Sequence, residues 1–320
     1  MTHLTSKRRL WYLISAILIV PGLISLIFSG LNLGIDFTGG TQIQLQFQQS
    51  VNSAALQTVV EEAGYAGAIV QSVDTEGGNA FQIKTSEIGE GTTAKTELYQ
   101  RIETEIGPFE EQSIATIGAS VSDQLSRNAI LAISVASLAI LGYISLAFRK
   151  TRNPLLYGTC AVVAMICDVL FVVGLFSIFG WLFGIEVDTL FVTALLTVIG
   201  FSVHDKIVVF DRIRENVGKR VSSSFEDTVN YSIAQTLVRS LNTSLTVVFT
   251  LLALFLLGGG STRNFVLALL IGILSGTYSS IFTAAQLLVS WENGEIQRLF
   301  GRSGPKRDDA EIEARLAPSR

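Results

Sequence analysis

Charge is scarce in this 320-residue chain: Asp, Glu, Lys and Arg make up 16% of it, where ordinary soluble domains carry about 25%. Histidine, cysteine and methionine occur twice each and proline five times. The two histidines, His3 and His204, lie far apart in sequence, so metal binding finds no support and no metal site or cofactor is expected. Cys160 and Cys167 are seven residues apart in one apolar run. On a helix that spacing is a rise of ~10 Å, beyond the ~7 Å that a disulfide allows between Cα atoms. They read as small packing residues, and redox chemistry is not indicated.

Apolar residues fill the space that charge leaves. The hydrophobic share is 49%, and six runs each approach or exceed the ~20 residues that cross hydrocarbon as a helix. They are Leu10 to Phe28, Ala129 to Phe148, Leu155 to Phe179, Val187 to Phe210, Leu237 to Leu257 and Phe265 to Val289. The first follows Lys7, Arg8 and Arg9 but lacks a clear small-residue cleavage site. It also exceeds the ~7–15 apolar residues of a signal-peptide core, so it reads as a span. Basic residues gather before span one, between spans two and three, between four and five, and after six. Those four places share one face, which the positive-inside rule makes cytoplasmic, with both termini inside.

Residues 29–128 are too polar to cross a bilayer and long enough to be a domain. Alternation predicts strands at Thr41 to Phe47, Ala68 to Val73, Ala80 to Thr85 and Ser113 to Ile117. Helical periodicity covers Ser53 to Ala63, with Ser53 as the cap, and Thr93 to Ile106; a turn is expected at Asp74 to Asn79. The order is βαββαβ, the ferredoxin-like pattern. This segment holds thirteen acidic and four basic residues, a surface that keeps an exported domain soluble and disfavours nucleic acid. The fold class is therefore an α-helical membrane protein with six transmembrane helices and an exported α+β domain between helices one and two. Its divisions are 1–28, the N-terminus and first span; 29–128, the exported domain; 129–290, spans two to six; and 291–320, a cytoplasmic tail whose polar end, Gly301 to Arg320, reads as disordered or mobile.

Chemistry concentrates in Gly200 to Asn216, G-F-S-V-H-D-K-I-V-V-F-D-R-I-R-E-N. An ionisable side chain at membrane depth costs from about 2.5 kcal/mol upward, so His204, Asp205 and Lys206 require a reason. Either the helix ends near Ser202 and they sit among headgroups, or they serve inside the membrane; Ile207 to Phe210 resume the apolar run before the charged Asp211, Arg212, Arg214 and Glu215. Asp168 lies about thirteen residues into span three, ~20 Å deep. A protonated packing residue held by a neighbouring hydroxyl or backbone group and a role in proton or ion movement are both open for it. Arg239, on span five, falls at a depth comparable to Asp205. If the two face each other, separating them would favour protonation of the acid, the requirement for coupling proton uptake to movement; alternatively Arg239 snorkels to lipid phosphates. Ser222 to Gln235 reads as a short amphipathic surface helix. Span six carries Gly272, Gly276, Ser275, Ser279 and Ser280, small residues that permit close helix packing.

Four stretches together resemble the SecF family of bacterial protein export. They are G-I-D-F-T-G-G-T at Gly34 to Thr41, which includes Asp36, Phe37, Gly39 and Gly40; Asp168-Val169 with Gly174 and Phe176-Ser177; V-V-F-D-R-I-R-E-N at Val208 to Asn216; and R-S-L-N-T-S at Arg239 to Ser244. The resemblance implies a six-span half of an RND-type fold, paired with SecD in the bacterial plasma (inner) membrane. It implies use of the proton motive force to move exported domains and so promote passage of a preprotein through the SecYEG channel, with SecA and YajC as further candidate partners. By position it assigns proton coupling to Asp205 and Arg239. His204 and Lys206 depart from the family's usual Asn and small hydroxyl residue, and Cys167 from its frequent His. His204 could add a proton relay, with Asp168 a further member of the path, while Lys206 could tune Asp205 or snorkel inward. Other functions remain: a non-conducting assembly subunit of the translocon, or half of a small-molecule RND exporter, which the short Gly258 to Asn264 connection disfavours. An intramembrane protease using Asp168 and Asp205 has no supporting signature, and no enzyme activity is expected.

Overall fold

The computed structural model describes residues 4–73, 79–88, 93–149 and 153–295, the side chains of 260 and 261 excepted. Two units separate: residues 31–131 with 179–192, and the remainder of the described chain.

In the first unit, a short helix α2 (Ile35–Thr38) follows the helix α1 (Arg8–Phe28) of the other unit and leads into β1 (Gly40–Phe47). Then come α3 (Ser53–Glu62), β2 (Ile69–Val73), β3 (Ala80–Thr85), α4 (Thr93–Glu105) and β4 (Phe109–Ile117). The sheet order is β2-β3-β1-β4 with every neighbouring pair antiparallel, which is the ferredoxin-like arrangement. The alternation in β1 puts Ile43, Leu45 and Phe47 into a core with Phe81, Leu56 and Leu98. Two details differ from expectation. Asn52, not Ser53, caps α3, its side chain accepting from the Ala54 amide at 2.9 Å. β4 starts at Phe109, four residues before Ser113, because Glu110 and Glu111 lie opposite Gln46 and Leu45 of β1. Charged residues are tolerated there because β4 is an edge strand. Asp74 to Gly78 of the expected turn lie outside the described residues.

The G-I-D-F-T-G-G-T stretch makes the turn that precedes the sheet. Gly40 has φ +112°, and a side chain there would collide with the Thr85 carbonyl, so only glycine suits. Asp36 Oδ2 accepts from the Thr189 amide at 2.8 Å and its hydroxyl at 2.7 Å. Since Thr189 begins the long helix α7 (Thr189–Lys219), Asp36 satisfies one of its orphan donors and places a negative charge at the positive end of the helix dipole. Asp188 supplies another, accepting from Phe191 at 2.8 Å. Nearby, Lys84 of β3 pairs with Glu186 at 2.6 Å, and Gln82 donates to the same carboxylate at 2.8 Å.

The second unit is a helical bundle: α1, α5 (Ala119–Ala147), α6 (Pro154–Phe183), α7, α8 (Phe225–Leu257), and a last span built from α9 (Gly260–Ser279), a π-helical segment Ser280–Ala284 and α10 (Ala285–Glu292). Among the described residues, six helices are long and apolar enough to cross a membrane. Leu13, Ile17, Leu138 and Phe249 are exposed on them, as lipid-facing residues should be. Small residues permit close helix approaches. A Cβ at Gly22 of α1 would stand 2.7 Å from Gly174 Cα of α6, and one at Gly276 of α9 would stand 2.9 Å from Ser202 Cβ of α7. Ser222 to Gln235 does not form a separate surface helix. From Phe225 it is the first part of α8, with Val229 and Ile233 fully buried, because its apolar face meets the bundle core and no breaker follows to end the helix. The expected mobile tail lies beyond the described residues.

Two outcomes follow for the first unit. Asp36→Ala should cost about 1–2 kcal/mol, the usual value of a lost cap or charged hydrogen bond, read as a lower thermal midpoint of the full chain. Glu111 accepts from Tyr99 at 2.6 Å and pairs with Lys95 at 2.8 Å, and chiefly the Lys95 hydrogen bond holds its carboxyl below the ordinary range. Its stabilising effect is present above the unfolded carboxylate pKa and is lost as pH falls through the lower folded value. A thermal-unfolding series into acid should show this loss, and Glu111→Gln should remove it.

Candidate functional site

Asp168 of α6 is 2% exposed, and its carboxylate is met by four donors. Oδ2 accepts from the Ser202 hydroxyl at 2.6 Å, the Ser279 hydroxyl at 2.6 Å and Lys206 Nζ at 2.8 Å; Oδ1 accepts from the Ser275 hydroxyl at 2.8 Å. An ionised carboxylate offers about four lone-pair sites, so the set suits an anion. Lys206 is itself fully buried. Its three N–H donors meet Asp168, the Ser202 hydroxyl and, at 3.4 Å, the Ser202 carbonyl.

Helix geometry explains the convergence. Ser202 and Lys206 are four residues apart on α7, as are Ser275 and Ser279 on α9, so each pair presents one face to Asp168. Gly276, between the two serines, lets α9 come close enough to α7 at Ser202. Immediately after Ser279 the helix changes to the π form, a feature frequent at functional sites.

Asp205, the neighbour of Lys206 in sequence, sits differently. It is 2% exposed, the Thr277 side chain stands beside its carboxylate, and Oδ2 has no hydrogen-bond partner among the described residues. The Thr277 hydroxyl is held in turn by Ser244 at 2.5 Å. His204 and Arg239 are both exposed. Arg239 makes no ion pair with Asp205; on α8 it is the flanking Thr236, Ser240 and Ser244 that are buried. The juxtaposition considered from span depth is thus absent within this chain. Lys206 turns to Asp168, because successive helical residues diverge by about 100°.

The Asp211 to Asn216 motif is built into the packing. Asp211 pairs with Arg214 at 2.6 Å, Arg212 with Glu215 at 2.6 Å, and Arg212 also donates to Gln235 of α8 at 2.6 Å. Asn216, buried, donates to Ser232 at 2.8 Å and Gln235 at 3.0 Å, joining α7 to α8. Phe210 packs edge-on against Phe148 and Tyr157.

Comparison with known proteins shows the family. The family model described as "Protein export membrane protein SecD/SecF, C-terminal" matches residues 98–294, and the one described as "SecD/SecF GG Motif" matches residues 24–51. The chain belongs to the SecD/SecF family. A relative named protein translocase subunit SecF from Thermobaculum terrenum is 51% identical over 313 residues, 96% of this chain and 99% of that one. Another of that name, from Anaerolinea thermophila, is 44% identical over 94% of this chain and 98% of its own length. The crystal structure of SecDF from Thermus thermophilus, described as a translocon-associated membrane protein, superposes with a TM-score of 0.79 at 33% identity. That match covers 90% of this chain and 38% of the Thermus chain, as expected for a SecD/SecF member that forms one half of an RND-like fold.

A neighbouring hydroxyl holding Asp168 is one of the alternatives read from sequence, but Ser202, Ser275 and Ser279 are not named for that role; two i, i+4 pairs facing one buried acid are the available signal. Lys206→Met should destabilise the bundle by about 3–5 kcal/mol, since it strands a buried charge. Asp168→Asn with Lys206→Met should cost much less than the two single changes added together. Thermal midpoints and membrane abundance of the three variants check this.

Proposed function

We propose that this chain is the SecF subunit of a SecDF complex in the bacterial inner membrane, using the proton motive force to promote translocation of a preprotein through the SecYEG channel. Residues 29–128 are the exported domain, 129–290 the bundle, and 1–28 and 291–320 carry the cytoplasmic termini. SecD is the direct partner; SecYEG, SecA, YajC and lipid are the surroundings in which the pair acts, without catalytic chemistry of its own.

The observation that carries this reading is the buried Asp205 carboxylate with one oxygen unpartnered. An isolated carboxylate in that position is costly, so it calls for a proton or for a partner from outside the chain. Arg239 and His204, exposed on neighbouring helices, are available to such a partner, and a complex with SecD would bring a second set of groups to them. Asp168, in contrast, has both carboxylate oxygens hydrogen-bonded within the chain. In this scheme Asp205 and Arg239 couple ion movement to conformational change, His204 modulates the relay, and Asp168 with Lys206 holds the helices that carry it.

A non-conducting assembly subunit is the second reading, favoured by the absence of an Asp205–Arg239 contact within the chain. Secretion rate in cells lacking their own SecD and SecF, complemented with this chain and its SecD partner, separates the two. Asp205→Asn and Arg239→Met should each lower export at least tenfold with the complex at normal abundance, while His204→Asn shifts the pH dependence. Undiminished export by the first two at normal abundance would establish the assembly role instead.

A further inference from the structure

The ammonium of Lys206 sits in a cage of oxygens. Asp168 Oδ2 lies at 2.8 Å, the Ser202 carbonyl at 3.4 Å, and the Ser202 hydroxyl is also in contact. Ser279 and Ser275 hold the same carboxylate at 2.6 and 2.8 Å. One negative charge with neutral hydroxyl and carbonyl oxygens is the donor set that hard cations prefer. The Lys206 side chain and Asp168 are 0% and 2% exposed, so bulk water does not compete for them. A cavity of about 260 Å³ reaches the carboxylate between α1, α6 and α9, with Ser15, Tyr278 and Thr283 on its wall. The positive charge already present is a point charge on a covalent stem, able to fill the cage but not to leave it.

We infer that Lys206 is a tethered cation filling a sodium-type site formed by the oxygens of Asp168 and Ser202, with Ser275 and Ser279 holding the carboxylate in place, and that it thereby makes this site indifferent to free sodium. The inference goes beyond the coupling role given to Asp205 and does not depend on it. Its chemical consequence is specific. Shortening Lys206 to serine leaves the carboxylate and its hydroxyls at a depth where an uncompensated charge is expensive, and adds one more oxygen ligand. A free monovalent cation then replaces the lost ammonium, entering from the cavity.

The test uses the full chain purified with its SecD partner, with thermal midpoint and radiolabelled sodium binding measured in sodium chloride and in choline chloride of equal ionic strength. The unsubstituted protein should show the same midpoint in both salts. Lys206→Ser should have a lowered midpoint in choline that sodium raises by several degrees in a saturable way, more than potassium does. Asp168→Asn with Lys206→Ser should lose that response. Lys206→Gln, closer to lysine in volume, serves as the second variant and should respond as well. Absence of any sodium effect in both single variants overturns the inference, as does an equal sodium effect on the unsubstituted protein. Failure of both variants to accumulate even in sodium-rich medium, where the replacement cation is supplied, overturns it too. None of these readouts involves export, so each outcome leaves the Asp205 reading to be decided separately.

Discussion

The bundle depends on one carboxylate. Asp168 is the point at which α6, α7 and α9 are joined by directional bonds. Within hydrocarbon there is no water to accept a misplaced charge, so the three helices have few alternative registers that leave this group satisfied. Apolar contacts such as those of Ala164, Met165 and Ile199 supply bulk cohesion but tolerate sliding. The close approach at Gly276 and Ser202 is the steric condition that lets the polar cluster assemble.

Two acids at adjacent places in the fold are treated in opposite ways. Asp168 is matched by a cation and three hydroxyls, while Asp205 has Thr277 beside it and an oxygen without a partner. A buried pair of this kind adds little net stability while intact but is costly to break. The division separates a group that fixes geometry from one whose environment is incomplete in the isolated chain. Lys206, next to Asp205 in sequence, belongs structurally to the first.

Much of this architecture is legible in the sequence because its periods are strong. Six apolar runs and the alternation in Thr41 to Phe47 depend on solvent partition alone, which local composition reports. The start of β4 at Phe109 is hidden because Glu110 and Glu111 are compatible with an edge strand but do not announce one. The continuity of α8 is hidden because an amphipathic segment looks the same whether its apolar face meets lipid or protein. The Asp168–Lys206 pair could not be read from depth alone. Depth places several charges at similar heights, and only helix rotation decides which of them meet. Rotation is also why Arg239 and Asp205, similar in height, do not touch here.

The π-helical segment at Ser280–Ala284 bears on how the last span can change shape. A π turn accommodates one residue more than an α turn, so everything after it is rotated by about 100° relative to an uninterrupted α-helix. Ser279 can therefore face Asp168 while Ser290, farther along, meets Tyr12 at 2.9 Å. Passing the extra residue along the helix by one position would turn a single intervening side chain from one neighbour to another while both anchored ends stayed where they are. The extra residue is thus what lets one span be anchored to two different helices from two different faces.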